Sequence, residues 1–188
     1  MIELRFVSNN QFKQNEAKAI LEPLGIHVIP LTIKVAEIQT ENTDQLVKDK
    51  TLKAFKSVGR SLFVEHTGLY LNHMNGLPGG LTQIVWDKLE ADKFGELFGC
   101  VRDPGAVART VIGYTDVKQF HSFKGEIKGR ISESPRGSRD FQWDCVFIPN
   151  GFNETFAEMG EKKHEISMRR KALDAFSDFL REAYGIKR

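Results

Sequence analysis

The chain has 188 residues, 40% of them hydrophobic, which is enough to bury a sizeable core in one domain or in two closely joined lobes. Its 27 Lys and Arg residues nearly balance 25 Asp and Glu residues, and the net charge of +2 argues against general binding to nucleic acids or membranes. Cys100 and Cys145 form neither a disulfide framework nor a CxxC metal motif, and "MIELRFVSNN" lacks the features of a signal peptide or membrane anchor. The sequence therefore predicts a soluble cytoplasmic protein with reduced thiols.

The first half of the chain predicts alternating strands and helices. Residues 3–7 are expected to form a strand that ends at Ser8-Asn9-Asn10, and the apolar spacing of "QFKQNEAKAILEPL" predicts a helix directly after it. "IHVIPL" predicts the next strand, and "TDQLVKDKTLKAF" predicts a helix capped near Thr43 or Asp44. With a further strand in "RSLFVEH", the expected order is β, α, β, α, β.

The stretch "SLFVEHTGLYL", residues 61–71, predicts a buried strand and the start of a second one. Its two ends are apolar, whereas the polar residues Glu65, His66 and Thr67 interrupt it and indicate a turn. A carboxylate beside an imidazole at the end of a strand is either part of a catalytic site or a polar corner of the fold.

The second half of the chain predicts a different lobe. "NGLPGGL" is typical of a turn-rich loop, a helix is expected around residues 81–98, and residues 106–132 alternate like antiparallel strands around turns at Gly125 and Gly129. "EISMRRKALDAFSDFLREAYG" predicts a C-terminal amphipathic helix. Without a repeat or a linker, residues 1–188 are expected to form a single domain whose two lobes share a cleft.

The segment "SNNQFK" is a candidate phosphate site. A strand that runs into a helix N-terminus presents free backbone N–H groups, and Lys13 adds a positive charge on the first turn. The segment lacks the GxxxxGK[ST] spacing of a P-loop, so the alternative is an ordinary N-cap with a solvated lysine.

A scattered acidic set, Glu37, Glu65 and Asp144, is a candidate site for a hard cation. Two carboxylates at the ends of adjacent elements can hold Mg2+, which prefers oxygen ligands and keeps waters for a phosphate substrate. The alternative is that these carboxylates are exposed or capping side chains.

Two further segments offer groups that could bind a nucleotide. In "RDFQWDCVFIP", Phe141 and Trp143 could stack on a base and Asp144 could accept from its N–H groups, although aromatic residues before a strand are usually core. In "KKHEISMRR", basic residues approach and enter the last helix and could bind a phosphate or a carbonyl oxygen, although a solvated basic helix start is the plainer interpretation. A nucleic-acid-binding module that uses the aromatic pair and the basic C-terminal tail is the competing function, and the balanced charge argues against it.

The order of these segments resembles one family, the inosine triphosphate pyrophosphatases, over nearly the whole chain. The family pattern T/S-x-N-x-x-K is matched by "SNNQFK", E-[IY]-Q by "EIQ", V-E-D-T-G-L by "VEHTGL" and N-G-L-P-G by "NGLPG". The closing pattern R-G-x-x-x-F-G-W-D, P-x-G, T-[FY]-A-E-M and K-x-x-I-S-H-R is matched by "RGSRDFQWD", "PNG", "TFAEM" and "KHEISMR".

The resemblance implies a fold, an activity and an assembly. The fold is an elongated mixed α/β sheet with flanking helices and two lobes around a nucleotide-binding cleft, and the usual assembly is a homodimer. The activity is the Mg2+-dependent hydrolysis of purine nucleoside triphosphates such as ITP, dITP and XTP to the monophosphate and pyrophosphate. Arg169 suits such bases, because a guanidinium only donates and matches a 6-keto oxygen rather than a 6-amino group.

The chain departs from the family pattern at three positions. His66 stands where the pattern has aspartate, Met168 where it has histidine, and Gln142 where it has glycine. His66 could be a general base, or it could ligate the metal and shift the preference toward Mn2+. The third alternative is a protein that binds nucleotides without turnover.

The resulting site prediction has three parts. His66, Glu65 and Lys13 are the expected catalytic residues, and Glu37, Glu65 and His66 are the expected metal ligands. The expected substrate-binding residues are Ser8, Asn9, Asn10, Lys13, Lys50, Thr67, Phe141, Trp143, Asp144, Lys163, Met168 and Arg169.

Overall fold

The computed structural model describes residues 2–185 and contains a seven-stranded mixed sheet with flanking helices. The strands are β1 (Ile2–Val7), β2 (Ile26–Leu31), β3 (Leu62–Leu71), β4 (Pro78–Gly79), β5 (Gly105–Thr115), β6 (Phe120–Ile131) and β7 (Phe147–Pro149). The α-helices are α1 (Gln11–Leu21), α2 (Thr43–Val58), α3 (Thr82–Gly99), α4 (Phe156–Met159), α5 (Lys163–Ile166) and α6 (Met168–Tyr184), and a 3-10 helix spans Gln142–Cys145. The expected mixed α/β sheet is therefore confirmed.

The strand order leaves an opening beside β3. The order is β2-β1-β3-β5-β6-β7, with β1 parallel to β2 and β3 and the later pairs antiparallel. β1 pairs with β3 only at Arg5–Leu62 and Phe6–Phe63, whereas β5 pairs with β3 along its whole length. Because β4 pairs with β3 only at Leu69 and Tyr70, the same edge of β3 is unpaired from Val64 to Gly68, next to the carboxyl end of β1, where ligands commonly bind in α/β sheets.

β3 is one continuous strand, so the predicted turn at Glu65–Thr67 is wrong. Glu65, His66 and Thr67 pair with Ile112, Val111 and Thr110 of β5 in an unbroken antiparallel ladder. The polar residues mark the open edge of the strand rather than a chain reversal. An interruption in the apolar pattern was mistaken for an interruption in the backbone.

The predicted turns at Gly125 and Gly129 are also wrong, because both glycines lie inside β6. The chain reverses at residues 116–119, where the Asp116 side chain accepts from the backbone N–H groups of Lys118 and Gln119 at 2.9 and 2.8 Å. A Cβ on Gly125 would lie 2.0 Å from the carbonyl oxygen of Met168. Glycine therefore serves here to let α6 lie close against the sheet.

The two faces of β3 are covered by different helices. Phe63 stacks on Phe6 with ring centres 4.3 Å apart and packs on Phe176 of α6, on the face that α1 also covers. Leu62 and Val64 belong to a separate cluster with residues of α2. Because successive strand residues point to opposite faces, Glu65 faces α1 and α6 and His66 faces the α2 side.

The helices begin close to their predicted positions. The N-cap of α2 is Asn42, one residue before the predicted cap, and its side chain accepts from the N–H group of Gln45. Ser167 caps α6 in the same way, which places Arg169 in the first turn. Among residues 2–185, no helix combines the length and the apolar character needed to cross a membrane.

Candidate functional site

A cavity of about 350 Å3 lies in the opening beside β3. Its wall includes 13 of the predicted site residues: Ser8, Asn9, Asn10, Lys13, Glu37, Lys50, Glu65, His66, Thr67, Phe141, Trp143, Met168 and Arg169. These residues come from the loop after β1, from the connection between β2 and α2, from α1, α2 and β3, and from the segments around the 3-10 helix Gln142–Cys145 and the start of α6. Distant segments of the sequence thus meet at one sheet edge.

The loop after β1 forms a polar end of the cavity at the N-terminus of α1. The Ser8 hydroxyl accepts from the N–H of Asn10 at 3.2 Å, and the Asn10 side chain caps the helix by accepting from the N–H of Lys13 at 3.1 Å. Gln14 of α1 donates to the carbonyl oxygen of Ser8 at 2.6 Å, and this bond anchors the loop to the helix. The helix dipole and the Lys13 ammonium group both favour an anion at this end.

Glu65 is held by cationic side chains from two helices. Arg169 Nε donates to both carboxylate oxygens at 3.1 and 3.0 Å, and Lys13 Nζ lies 3.2 Å from Oε1. The Thr67 hydroxyl donates to the same Oε1 at 3.0 Å. Burial by itself would raise the pKa of Glu65, but the Arg169 and Lys13 charges outweigh it and lower the pKa to about 2.

Arg169 links Glu65 to a second carboxylate on α1. Its Nη1 donates to Glu16 Oε2 at 2.9 Å, and the side chains of Arg169 and Glu16 are 4% and 9% exposed. Burial opposes the charge on Arg169, yet the two carboxylates raise its pKa. The guanidinium is therefore fixed in position, with its orientation determined from both sides.

On the other face of β3, Glu37 is paired with Lys50 and lies near His66. Lys50 Nζ donates to Glu37 Oε1 at 2.6 Å, and the other oxygen, Oε2, lies 3.8 Å from His66 Nδ1. Burial opposes ionisation of Glu37, but its hydrogen bond and ion pair with Lys50 leave its pKa lowered. This pair brings a second lysine to the polar end of the cavity.

The hydrogen bonds of His66 define its tautomer. His66 Nε2 lies 3.1 Å from the carbonyl oxygen of Gly80, and because a carbonyl only accepts, Nε2 carries the proton. Burial and the nearby Lys13 charge lower the pKa of His66 to about 4, although Glu37 acts in the opposite direction. At neutral pH the ring is therefore neutral, and Nδ1, which carries the lone pair, lies 3.8 Å from Glu37 Oε2.

The aromatic end of the cavity adjoins the polar end, because Glu65 contacts both Lys13 and Arg169. Phe141, Trp143, Met168 and Arg169 line the aromatic end, and the exposed ring of Phe12 meets Phe141 edge-on with centroids 5.7 Å apart. Met168 is 1% exposed and shares a hydrophobic cluster with Trp143. A flat apolar surface of this kind suits a planar ligand.

Two predicted residues, Asp144 and Lys163, lie beside this aromatic end rather than on the cavity wall. They form a buried ion pair between Lys163 Nζ and Asp144 Oδ2, and Lys163 Nζ lies 4.2 Å from the ring centre of Phe141. Burial raises the pKa of Asp144 and lowers that of Lys163, in each case against the attraction of the partner. Asp144 Oδ1 is buried without a hydrogen-bond partner among residues 2–185.

Sequence reasoning missed part of the wall. The additional wall residues are Val7, Ile33, Lys34, Val35, Thr82, Gln83 and Gln142. Gln83 follows "NGLPGGLT", so its proximity to a recognised motif was an available signal. Residues 33–35 lie in the connection between β2 and α2, where no periodic pattern marks them.

Comparisons with known proteins agree with this architecture. A dITP/XTP pyrophosphatase of Thermococcus kodakarensis is 34% identical over 96% of this chain and 98% of its own length, and one from Methanopyrus kandleri is 34% identical over 96% and 97%. The structure of a HAM1 protein from Coxiella burnetii superposes with a TM-score of 0.86 at 26% identity, covering 97% of this chain and all of the other. The Ham1 protein of Staphylococcus aureus has a TM-score of 0.81, also at 26% identity, covering 96% and 99%.

These relatives confirm the resemblance that the motifs indicate, and they match along nearly the full length rather than at isolated segments. The sequence model of the Ham1 family matches residues 4–179, which include every predicted site residue from Ser8 to Arg169. The chain therefore belongs to the Ham1 family.

Proposed function

We propose that this protein hydrolyses purine nucleoside triphosphates of the ITP, dITP and XTP type to the monophosphate and pyrophosphate, and so removes them from the nucleotide pool. The observation that carries the proposal is a single cavity whose wall combines lysines and a helix N-terminus with an aromatic surface and a fixed guanidinium, and these two sets of groups meet at Glu65. A nucleoside triphosphate carries the matching groups, a charged triphosphate and a planar base. The names of the curated relatives support the same substrate class.

The phosphate end contributes positioning and charge. Lys13 and Lys50 flank the polar end from α1 and α2, and the N-terminus of α1 faces the same space. Water attacks the α-phosphorus, the bond between that phosphorus and the oxygen bridging to the β-phosphate breaks, and pyrophosphate leaves. Because phosphoryl transfer depends mainly on orientation and charge neutralisation, these groups supply what the reaction requires from the chain.

The base end accounts for the preference for 6-keto purines. Phe141 provides the stacking surface, and Arg169 approaches the same end with only donor groups. Two of its nitrogens already donate to Glu65 and Glu16, so its orientation is set before substrate binds. A 6-amino group would leave this donor unmatched.

The residues present fit a divalent cation, Mg2+ or Mn2+, at one position. Glu37 Oε2 and His66 Nδ1 are two electron-pair donors 3.8 Å apart with no proton between them, an arrangement that a cation would stabilise. Among residues 2–185 no group of three such side chains is assembled, but Mg2+ commonly takes one or two carboxylates together with substrate phosphates. Glu65 is engaged by Arg169 and Lys13, so Glu37 and His66 would hold the ion.

When bound, such an ion supplies charge neutralisation at the phosphates. From the family resemblance we also expect the protein to be a cytoplasmic homodimer.

Product analysis tests the proposed reaction. Incubation of the protein with ITP, dITP, XTP, ATP and a pyrimidine triphosphate, each with Mg2+ and with Mn2+, is expected to release pyrophosphate and monophosphate fastest from the 6-keto purines. Chromatography of the nucleotide and an assay specific for pyrophosphate measure the products. Orthophosphate with a nucleoside diphosphate would contradict the reaction, and faster hydrolysis of ATP would contradict the base assignment. Binding of ITP without turnover would identify a nucleotide-binding protein instead.

Replacement of His66 tests its position beside the metal. In His66→Asp the Mg2+-supported rate should rise relative to the Mn2+-supported rate by roughly tenfold, because a carboxylate is a harder ligand than a neutral imidazole and metal sites respond on this scale to a changed environment. The exposed His73 provides the control His73→Asp, which should leave the ratio unchanged. If neither His66→Asp nor His66→Ala changes the rate, the metal preference or the pH profile, His66 is structural.

A further inference from the structure

A pair of glutamine side chains lies at the wall of the cavity and is not accounted for by the phosphate or base groups. Gln83 belongs to the first turn of α3, and Gln142 begins the 3-10 helix that follows Phe141. Gln142 Nε2 donates to Gln83 Oε1, which joins two segments 59 residues apart in the sequence. We call the hydrogen-bonded pair of Gln83 and Gln142 the amide bridge.

Asp87 determines which way the amide bridge points. Gln83 Nε2 donates to Asp87 Oδ1 at 2.6 Å, and because a carboxylate only accepts, the nitrogen of Gln83 must face Asp87. Its oxygen then faces Gln142, so Gln142 must present its own nitrogen to the bridge. The remaining end, Gln142 Oε1, is an oriented acceptor without a hydrogen-bond partner among residues 2–185.

The backbone of Gln142 is strained. Its φ is 40°, in the left-handed region that a residue with a Cβ adopts at a cost of about 1–2 kcal/mol. The family pattern F-G-W-D has glycine at this position, which adopts such a conformation without that cost. A side chain kept at a strained position on the wall of a binding cavity indicates that the side chain itself has a role.

The amide bridge lies on the wall of the same cavity, with Gln142 in the segment that carries its aromatic residues. Gln83 follows Thr82 and is three residues from Gly80, whose carbonyl oxygen binds His66 at the phosphate end. Gln142 lies between Phe141 and Trp143 of the base end. In a nucleotide the sugar is bonded directly to the base, so an acceptor next to the stacking residue Phe141 is placed to meet a sugar hydroxyl.

We propose that Gln142 reads the sugar, with its Oε1 accepting a hydrogen bond from a ribose hydroxyl, and that Gln83 and Asp87 act as positioning residues for it. The inference rests on the proposed function, since it assumes a nucleotide in this cavity. The recognised group is a donor on the sugar, either the 2′- or the 3′-hydroxyl. It makes Gln142 a determinant of sugar selectivity that is separate from the selection of the base.

The test compares sugars on a constant base. Wild type and Gln142→Gly are assayed with ITP, dITP and 2′,3′-dideoxy-ITP, and the dissociation constants of the three corresponding monophosphates are measured by calorimetry. In wild type, loss of the recognised hydroxyl should lower kcat/KM and weaken binding by about five- to tenfold, the scale of one neutral hydrogen bond. We call this drop in kcat/KM and affinity the sugar step. A sugar step between ITP and dITP identifies the 2′-hydroxyl, and one between dITP and the dideoxy form identifies the 3′-hydroxyl.

In Gln142→Gly this step should disappear, and the melting temperature should equal or exceed that of wild type because the backbone strain is relieved. Gln142→Asn is the matched control: it keeps an amide and tolerates the left-handed backbone, but it is one methylene shorter, so it should also lose the step. If Gln142→Asn retains the sugar step, the loss in Gln142→Gly came from the changed backbone, and the role of the Gln142 side chain is refuted. An equal loss on all three sugars, or a changed preference between ITP and ATP with unchanged sugar selectivity, would overturn the proposal.

The monophosphate titrations separate this inference from the proposed function. Absence of turnover with a sugar step in binding would refute the hydrolase and support the role of Gln142. Turnover without any sugar step in wild type would refute the role of Gln142 and leave the hydrolase intact. Absence of both turnover and monophosphate binding would overturn both.

Discussion

Replacement of Lys13 by alanine is expected to lower kcat/KM for ITP by about 10²- to 10³-fold, the scale reported for removal of one preorganised electrostatic contact to developing charge. Lys13 extends from the first turn of α1 to the polar end of the cavity, where it lies 3.2 Å from Glu65. Glu65 keeps both hydrogen bonds from Arg169 in the variant, so its charge stays compensated and the melting temperature should change little. Steady-state kinetics and thermal unfolding measure the two quantities.

Lys18→Ala is the matched control for this experiment, because Lys18 lies in the last turn of the same helix and away from the cavity wall. It should keep wild-type kinetics. Unfolding of Lys13→Ala, or turnover equal to wild type, would contradict the assignment of Lys13 to the phosphates and make it a structural partner of Glu65.

Replacement of Arg169 by methionine is expected to lower the free energy of unfolding by about 3–5 kcal/mol, the usual cost of leaving buried charges without their partner. The guanidinium donates to Glu65 and to Glu16, and all three side chains are less than a tenth exposed. Methionine keeps comparable length but no charge, so both carboxylates lose their principal donor. Denaturant unfolding at neutral pH, where Glu65 is ionised in the folded protein, measures the effect.

The adjacent residue supplies the control. Arg170 pairs with Asp174 on the exposed side of α6, where the two side chains are 43% and 48% exposed. Arg170→Met makes the same chemical change one position along and should cost at most about 1 kcal/mol. Equal destabilisation by the two substitutions would show that the Arg169 pairs contribute no more than surface ion pairs.

Local patterns predicted the elements whose signals lie within one segment. The apolar spacing of "QFKQNEAKAIL" and of the C-terminal segment predicted α1 and α6, because a helix that packs one face on a sheet must repeat its apolar residues every three or four positions. "IHVIPL" predicted β2 for the corresponding reason in a strand. The motif order predicted the family, since eight short segments in a fixed order rarely coincide.

Predictions from local patterns failed where the identity of a residue depends on a contact with a partner distant in sequence. Gly125 resembles a turn residue in sequence, yet it is glycine because the backbone of α6 passes against it. Glu65 and His66 resemble a turn for the same reason: their polarity reflects Arg169 and Glu37, which the chain brings to opposite faces of β3. No window of neighbouring residues contains those partners.

By itself, the sequence determined the four long helices, most of the strands, the family and 13 of the residues around the cavity. Only the tertiary structure decided how those residues pair. Arg169 reaches Glu65 across 104 positions, Lys163 pairs with Asp144 instead of lining the cavity, and Gln142 meets Gln83 across 59 positions. The physical reason is that apolar periodicity is a property of one element, whereas the partner of a buried charge or amide depends on how strands and helices are placed against one another at the open edge of β3.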